Sequence, residues 1–316
     1  MPSSNVAWPG PLTRLQTLMP GQMAVPGTDT ETGLRLHSTG TIFYVDPNYP
    51  GVSDQRDGTD PNDPLRTVAA ALTHCQPYRG DVIAVMANGL WTHANPASSY
   101  RLPIAENVIV TVPGIKIVGV FPSGSLGVPW YPGTTGGTCI TVNAIDVLIE
   151  GFCFMDAAAN NAVAIAAVWG GTVYGDNLTV RHCFFNTNLD YGIRLTFAYY
   201  SHIHDNYFDS VNVTAINDET ANNSDYIEIY NNRFSMCTNA INLPGVSWGL
   251  IRDNWIRGNP AGANNYINLT GGADNIVANN YLGCNIGQYD STCSDSNSGA
   301  WISNFCTNGP TTAPPT

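Results

Sequence analysis

The sequence predicts an all-β solenoid, a stack of short coils that share one core. Three observations predict it: a motif that recurs at a near-constant spacing, a second apolar register with a similar spacing, and abundant turn-forming residues. The 316 residues include 31 Gly and 21 Pro, while only 11% are charged. Many tight turns need such residues, and a repeat of about 20–50 residues indicates one structural unit per repeat.

The recurring motif is an apolar residue, two variable positions, usually asparagine, one more position and a second apolar residue. A clear copy runs from Ile203 to Phe208. The central positions of seven copies are 152, 183, 206, 232, 254, 280 and 304, with spacings of 31, 23, 26, 22, 26 and 24. The alternative to a structural repeat is that the motif recurs by chance in an asparagine-rich chain. The first two copies have Phe152 and Cys183 at the centre, and the others have Asn206, Asn232, Asn254, Asn280 and Asn304.

Asparagine at this place has two expected roles. Residues five apart on a straight strand point to opposite faces, so both apolar residues of a motif face one core only where the chain turns between them. Asparagine tolerates the left-handed conformation that such a turn needs. Because coils stack about 4.8 Å apart, we also expect the amides to form a hydrogen-bonded ladder along the axis.

A second register supports the coil over chance recurrence. Ile193, Ile216, Ile241 and Ile267 are separated by 23, 25 and 26 residues. They predict the next strand of each coil, with its own inward isoleucine.

This arrangement resembles the right-handed parallel β-helix family, the pectate-lyase-like solenoids that include polysaccharide lyases, glycoside hydrolases and phage tailspikes. The resemblance covers about residues 41–306 and implies a right-handed single-stranded parallel β-helix. The order strand, Asp/Gly-rich loop, helix at about 64–75 and strand is similar to the N-terminal cap of this family. We expect Asp63 to cap this helix and Pro64 to begin it. Activity does not follow, because the fold hosts many functions.

The two ends of the chain differ from the solenoid. In residues 1–40, several Pro and Gly forbid long regular elements, yet the apolar content exceeds that of an inert linker. We expect an irregular anchoring arm, which docks either on its own β-helix or on a neighbouring subunit or particle surface. Residues 307–316 are a Pro/Thr-rich tail. The expected anchoring residues are Trp8, Leu12, Leu15, Leu18, Met19 and Met23.

Composition argues against several classes of partner. The net charge is −12 and the single lysine is Lys116, whereas nucleic-acid binding needs a basic face. We therefore expect no nucleic-acid partner, and an acidic glycan only where a cation such as Ca²⁺ mediates. No apolar run reaches about 18 residues, so we expect no membrane-spanning helix. The N-terminus shows no secretion signal.

Three local expectations concern turns, an insertion and cysteines. The Asp-rich loop from Gly51 to Asn62 is expected to form Asx-turns, with Ca²⁺ binding as the alternative. The insertion from Phe121 to Gly137 is expected to stand off the coil as a loop. Cysteines inside the repeats are expected to be core thiols. Crowding near the C-terminus permits one disulfide among Cys284, Cys293 and Cys306.

The candidate catalytic residues are Asp205, Asp253, Glu228 and Arg252. Asp205 and Asp253 each precede a ladder asparagine, two coils and therefore roughly 9.6 Å apart, near the upper end for an inverting glycosidase pair. The alternative is a row of solvated turn residues, since Asn231 occupies the same place in the coil between them. A set of aromatic residues forms either a sugar-stacking stripe or a subunit interface: Tyr199, Tyr200, Trp248, Trp255 and Tyr266.

Two functions fit these features. The first is a structural protein of a virion surface, such as a phage capsid decoration, head-fibre or tail-associated β-helix, with an adhesive or protective role. It would assemble in the host cytoplasm as a homotrimer, the state that the resemblance implies, on a capsid or tail protein. The second is a polysaccharide lyase or glycoside hydrolase acting on a surface polysaccharide. The apolar arm, the scarcity of charge and the lack of a catalytic motif favour the first.

Overall fold

The computed structural model describes residues 22–23, 36–37, 40–86, 104–121, 126–156, 161–168, 175–186, 188–218, 224–258, 265–284, 288–295, 299–311 and 314–315. Within these residues the chain is a parallel β-helix, in which each full coil contributes one strand to each of three sheets. The predicted all-β solenoid is confirmed.

The strands of each sheet follow one another along the axis. Sheet 1 contains β3 (Ile42–Val45), β4 (Val82–Met86), β7 (Lys116–Val120), β10 (Leu148–Glu150), β13 (Thr179–Arg181), β16 (His202–His204), β19 (Glu228–Tyr230), β22 (Leu250–Arg252), β25 (Ile276–Ala278) and β28 (Ala300–Ile302). Sheet 2 contains β5 (Ile104–Ala105), β8 (Val128–Tyr131), β11 (Phe152–Phe154), β14 (Phe184–Phe185), β17 (Tyr207–Asp209), β20 (Arg233–Cys237), β23 (Trp255–Gly258), β26 (Tyr281–Leu282), β29 (Asn304–Cys306) and β30 (Gly309–Thr311). Sheet 3 contains β6 (Val108–Val110), β9 (Thr138–Val142), β12 (Val163–Ala167), β15 (Tyr191–Leu195), β18 (Thr214–Asp218), β21 (Asn239–Asn242), β24 (Asn265–Asn268) and β27 (Cys293–Ser294).

All three sheets send apolar side chains into one core. On sheet 2 the rings of Phe185 and Phe208 stack with centroids 4.4 Å apart, and Phe208 stacks on Phe234 at 4.9 Å. On sheet 3 the second register is confirmed, because Ile193 pairs with Ile216 in the next coil and the column continues. These side chains are fully buried, and each such burial contributes about 1.5–3 kcal/mol.

The predicted asparagine column lies at the turn between sheets 1 and 2. The Asn232 Oδ1 atom accepts hydrogen bonds from the backbone and side-chain nitrogens of Asn206, at 3.1 and 3.0 Å. The Asn232 Nδ2 atom donates to the carbonyl of Ile203 in the preceding coil (2.8 Å) and to Asn254 Oδ1 in the next (3.1 Å). The pattern repeats through Asn280 to Asn304. Each amide from Asn206 to Asn280 therefore connects three coils, Asn304 connects the last two, and all five are almost fully buried.

The left-handed residue of this turn was wrongly assigned to the asparagine. Positive φ values belong to the residue before it, as at Asp205 (55°), Asn231 (53°), Asp253 (57°) and Asn279 (55°). A left-handed residue there redirects the strand and turns the following asparagine inward. This explains why the position before the ladder carries Asp or Asn in four of the five coils, with Ser303 (54°) in the last.

The N-terminal cap helix begins later than expected. Helix α1 spans Val68–His74, and the side chain of its N-cap Thr67 accepts a hydrogen bond from the Ala70 nitrogen at 3.1 Å. The chain before it is extended, because the Leu65 nitrogen donates to the Tyr44 carbonyl and the Leu65 carbonyl accepts from the Asp46 nitrogen. The sheet thus takes the backbone groups that a helix beginning at residue 64 would use.

The segment from residue 121 to 137 was expected to be a loop, but part of it is a strand of the coil. It contains strand β8, which pairs in parallel with β5 and β11. Trp130 is fully buried, packs edge-on against Phe152 with ring centroids 5.3 Å apart, and donates its indole N–H to the Glu106 carbonyl at 3.0 Å. Satisfying the indole N–H in this way allows a tryptophan to be buried in the core of this coil.

The arm contains one short pair of strands, and the Asp-rich loop contains the expected local turns. Strands β1 (Gln22–Met23) and β2 (Leu36–His37) form a short antiparallel pair, so the arm is not wholly irregular. In the loop, Asp57 and Asp60 accept local backbone hydrogen bonds from Thr59 (2.9 Å) and Asn62 (2.8 Å), which are Asx-turns. The proposed anchors Trp8, Leu12, Leu15, Leu18 and Met19 lie outside the described residues.

Candidate functional site

The four candidate residues Asp205, Asp253, Glu228 and Arg252 lie on one surface. They are on the outer side of sheet 1 or at its edge, in three consecutive coils built around β16, β19 and β22. Side chains alternate along a strand, so the inward residues between them join the core. We call this surface the central face: Tyr200, His202, His204 and Asp205 in one coil, Tyr226, Glu228, Tyr230 and Asn231 in the next, and Trp248, Leu250, Arg252 and Asp253 in the third.

An exposed aromatic column forms one edge of the central face. The rings of Tyr200 and Tyr226 stack with centroids 4.9 Å apart, and those of Tyr226 and Trp248 stack at 5.0 Å. Their exposed fractions are 56%, 40% and 50%, respectively. All three side chains of the column are therefore partly accessible to solvent.

The backbone at these three aromatics is left-handed, with φ of 56°, 57° and 54° at Tyr200, Tyr226 and Trp248. That conformation disfavours bulky residues by roughly 1–2 kcal/mol. Hydrogen bonds to the next coil hold it: each of the three backbone nitrogens donates to a carbonyl there, as Tyr226 does to Ser247. The equivalent residues of the flanking coils make the same turn but tolerate it better: Asp146, Asn177 and Asp274.

A second column runs along the middle of the central face. The His204 imidazole stacks on Tyr230 with centroids 4.6 Å apart, and the Arg252 guanidinium lies 4.3 Å from the centroid of the Tyr230 ring. One coil before His204, Arg181 forms an ion pair at 3.0 Å with the buried Glu150. Burial raises the pKa of the Glu150 carboxyl, although Arg181 lowers it in part.

The carboxylates of the central face have cationic or imidazole neighbours. Asp205 Oδ2 lies 2.7 Å from His204 Nδ1, Asp253 Oδ2 accepts from Arg252 at 2.8 Å, and Glu228 lies 3.5 Å from His202. Burial raises the pKa of Asp205, but its hydrogen bond with His204 and other nearby donors and charges lower the pKa by more. A raised pKa is typical of the general acid of a glycosidase, whereas the lowered pKa of Asp205 favours its carboxylate form.

The periodic spacing could have identified more of this site. Tyr200, Tyr226 and Trp248 each lie six positions before a ladder asparagine, yet Tyr226 was not among the candidate aromatics. Two of the aromatics that were named lie elsewhere. Trp255 stacks on Tyr281 on the outer side of sheet 2, and Tyr266 is buried on sheet 3.

Two further features bear on the chemistry of the part of the chain that the structure describes. It contains no group of three or more His, Cys, Asp or Glu side chains arranged to hold a metal ion. It also contains no helix long and apolar enough to cross a membrane.

Comparison with known proteins shows the fold. No protein-family model and no curated protein sequence matches the chain. A variant of a pectate lyase from Xanthomonas campestris superposes with a TM-score of 0.52 at 15% identity, covering 87% of this chain and 81% of that one. A second variant gives 0.50 at 14% identity over 86% and 81%. A protein of Geobacillus virus E2, ORF18, gives 0.35 at 11% identity over 84% and 62%.

The chain therefore has the pectate-lyase-like parallel β-helix fold. At such identities the likeness concerns the fold, and function must be argued from the residues of the site.

Proposed function

We propose that the protein is a structural virion-surface β-helix, a phage capsid decoration, head-fibre or tail-associated protein, whose central face adheres to a surface glycan. One observation supports the adhesive role most: three consecutive coils carry exposed aromatics at left-handed positions that flanking coils fill with Asp or Asn. Local strain of this kind clusters at ligand-binding sites. Tyr and Trp combine an apolar ring with a polar group, which suits the mixed C–H and hydroxyl surface of a sugar.

The neighbouring side chains supply hydrogen-bonding groups for such a ligand. Next to the aromatic column, His202 and Glu228 are both about one-third exposed, and the guanidinium of Arg252 lies one column further in. Carboxylates accept and guanidinium groups donate hydrogen bonds, so Glu228 and Arg252 together suit sugar hydroxyls. The net charge of −12 favours a neutral glycan over an acidic one, which would need Ca²⁺ between the two.

The test of adhesion replaces the aromatics by the residue of a flanking coil. Tyr226→Asn and Trp248→Asn introduce the amino acid found at Asn177, which tolerates the same backbone. We expect thermal stability to be kept or raised and binding to fall at least tenfold, about 1.4 kcal/mol, on a glycan array and by calorimetry. Phe305→Ser is the matched control, because Phe305 is 48% exposed on sheet 2. A parent protein that binds no glycan, or variants that bind unchanged, would refute adhesion by this face.

The alternative is a polysaccharide lyase or glycoside hydrolase. It is favoured by the position of Asp205 and Asp253 on one face, two coils apart. Release of reducing ends or unsaturated products from a glycan panel is the measurement, with Asp205→Asn and Asp253→Asn as controls. Turnover that is lost in these variants would replace the structural proposal by the enzymatic one.

The assembly part of the proposal assigns anchoring to residues 1–40, with a homotrimer on a capsid or tail protein. Because the solenoid begins at Ile42, removing residues 1–40 is expected to leave the far-UV circular dichroism of the β-helix intact while abolishing assembly. Sedimentation velocity and particle binding measure the outcome. An unchanged oligomer or particle would remove the anchoring role.

A further inference from the structure

Three cysteines meet at the C-terminal end of the coil stack. Cys284 follows β26, Cys293 begins β27 and Cys306 ends β29, and their exposed fractions are 3%, 2% and 0%. The Sγ atoms of Cys284 and Cys306 are 3.8 Å apart. Their backbones are also adjacent, because the Thr307 nitrogen donates to the Cys284 carbonyl at 2.9 Å. Cys293 belongs to a different sheet, where it pairs with Ile267.

We propose that Cys284 and Cys306 form a disulfide when the protein folds in an oxidising medium, and that this bond fastens the last two coils to each other. A disulfide needs sulfur atoms about 2.05 Å apart on neighbouring backbones. Adjacent coils supply such neighbours, so small side-chain rotations close the gap. This modification is independent of any glycan bound at the central face.

Glutathione disulfide is a suitable oxidant. The thiolate of Cys284 attacks it, forms a mixed disulfide and releases one glutathione. The thiolate of Cys306 then attacks the Cys284 sulfur and displaces the second glutathione. Two protein thiols are oxidised, one glutathione disulfide is reduced to two thiols, and the two protons pass to the glutathione sulfurs.

The reaction belongs to folding rather than to the finished structure. Burial raises the pKa of the Cys306 thiol to about 12, which leaves little thiolate at neutral pH. Before the last coil closes, both thiols are accessible and ordinary in reactivity. We therefore expect slow oxidation of the folded protein and fast oxidation during refolding.

The test is refolding from denaturant in a buffer of reduced and oxidised glutathione. Because all eight cysteines are buried in the fold, the remaining thiols are then alkylated in denaturant at low pH, before peptide mapping. We expect two of the eight cysteines to resist alkylation, one linked peptide pair containing Cys284 and Cys306, and a higher melting temperature than that of the reduced protein. Cys293→Ser should keep the link, while Cys284→Ala and Cys306→Ala, apolar replacements suited to buried sites, should abolish both effects.

Three results would overturn the proposal. They are eight alkylated cysteines after oxidative refolding, a link that involves Cys293 in place of either partner, and equal yields of the link in native buffer and in denaturant. The last result would mean that the fold does not select the pair.

Discussion

At the scale of the residue, the ladder asparagines combine burial with complete hydrogen bonding. Asn254 Oδ1 accepts from the backbone and side-chain nitrogens of Asn232, and its amide donates to the Ile229 carbonyl and to Asn280. A buried amide with partners of this kind contributes modestly to stability. Removing the amide side chain is more damaging, because its former hydrogen-bond partners are buried and have no water to bind.

We expect Asn254→Ala to lower the free energy of unfolding by about 3 kcal/mol or more, since each buried group left unsatisfied costs about 1–3 kcal/mol. Equilibrium urea unfolding measures it. Asn242→Ala is the matched control. Asn242 also bonds to asparagines of adjacent coils, at 2.7 Å, but on the half-buried outer side of sheet 3, where water replaces the lost partners. Equal losses in the two variants would contradict this account.

The residue before the ladder depends on backbone conformation rather than on contacts. Asn279 is exposed and has a φ of 55°. Asn279→Val should lower the free energy of unfolding by about 1–2 kcal/mol, because a β-branched side chain disfavours the left-handed region. Asn279→Gly should have little effect or stabilise. The melting temperatures of the two variants test this, and a valine variant as stable as the glycine variant would argue against a conformational cause.

The asparagine column could be predicted from spacing, because its hydrogen bonds require one amide per coil at one height. Which residue of the motif is left-handed could not be read in the same way. Asp and Asn both tolerate the left-handed backbone conformation, so residue type does not distinguish Asp205 from Asn206. Only the hydrogen bonds of the ladder decide which of the two side chains points inward.

At the scale of the element, the N-terminal cap depends on a buried carboxylate. Asp81 precedes β4, is fully buried, and accepts from the backbone nitrogens of Thr41 and Gln76 (both 2.8 Å) and from the Arg79 guanidinium. Burial raises the pKa of Asp81, but these hydrogen bonds lower it by more, so the net pKa is below its usual value. One carboxylate thereby joins β3, the end of the cap and β4.

This arrangement predicts a specific dependence on pH. The folded pKa of Asp81 lies below the unfolded value of about 3.9. Its contribution is therefore complete above about pH 4 and is lost as the pH falls through the folded pKa. Asp81→Asn should lower the free energy of unfolding by about 1–3 kcal/mol at pH 7. Between roughly pH 5 and pH 3, on either side of the unfolded carboxyl pKa, the variant should lose less stability than the parent. Parallel pH profiles of parent and variant would contradict the assignment.

Elements were predictable where periodicity was the only signal needed. The motif located β16, β19, β22 and β25 of sheet 1, and the isoleucine register located β15, β18, β21 and β24 of sheet 3. Strand β8 was missed because Pro129 and the surrounding Gly and Pro imitate a loop, while the core of that coil takes Trp130 instead of a small aliphatic residue. The start of α1 was misplaced because Leu65 pairs with β3, a contact between residues 20 positions apart in the chain.

At the scale of the whole molecule, a solenoid has two open ends and its stability comes from contacts between neighbouring coils. Helix α1 packs against the first strands. At the other end, β30 folds back antiparallel on β29 and covers the edge of sheet 2, and Thr311 is buried beside Tyr289, with which it shares a hydrogen bond. Sheet 2 thus ends in a strand, β30, that runs antiparallel to its neighbour β29.

Removing residues 309–316 should convert this end into an adhesive edge. The backbone groups of Asn304 and Cys306 that now pair with β30 would be free, and an unpaired strand recruits another chain. We expect concentration-dependent association in sedimentation velocity with unchanged far-UV circular dichroism. Thr311→Ala is the control, because it removes the hydrogen bond with Tyr289 but keeps β30 paired, and it should remain as dispersed as the parent. If the truncated protein also stayed dispersed at every concentration, β30 would be a tail rather than a cap, and the last coil would have to protect its own edge.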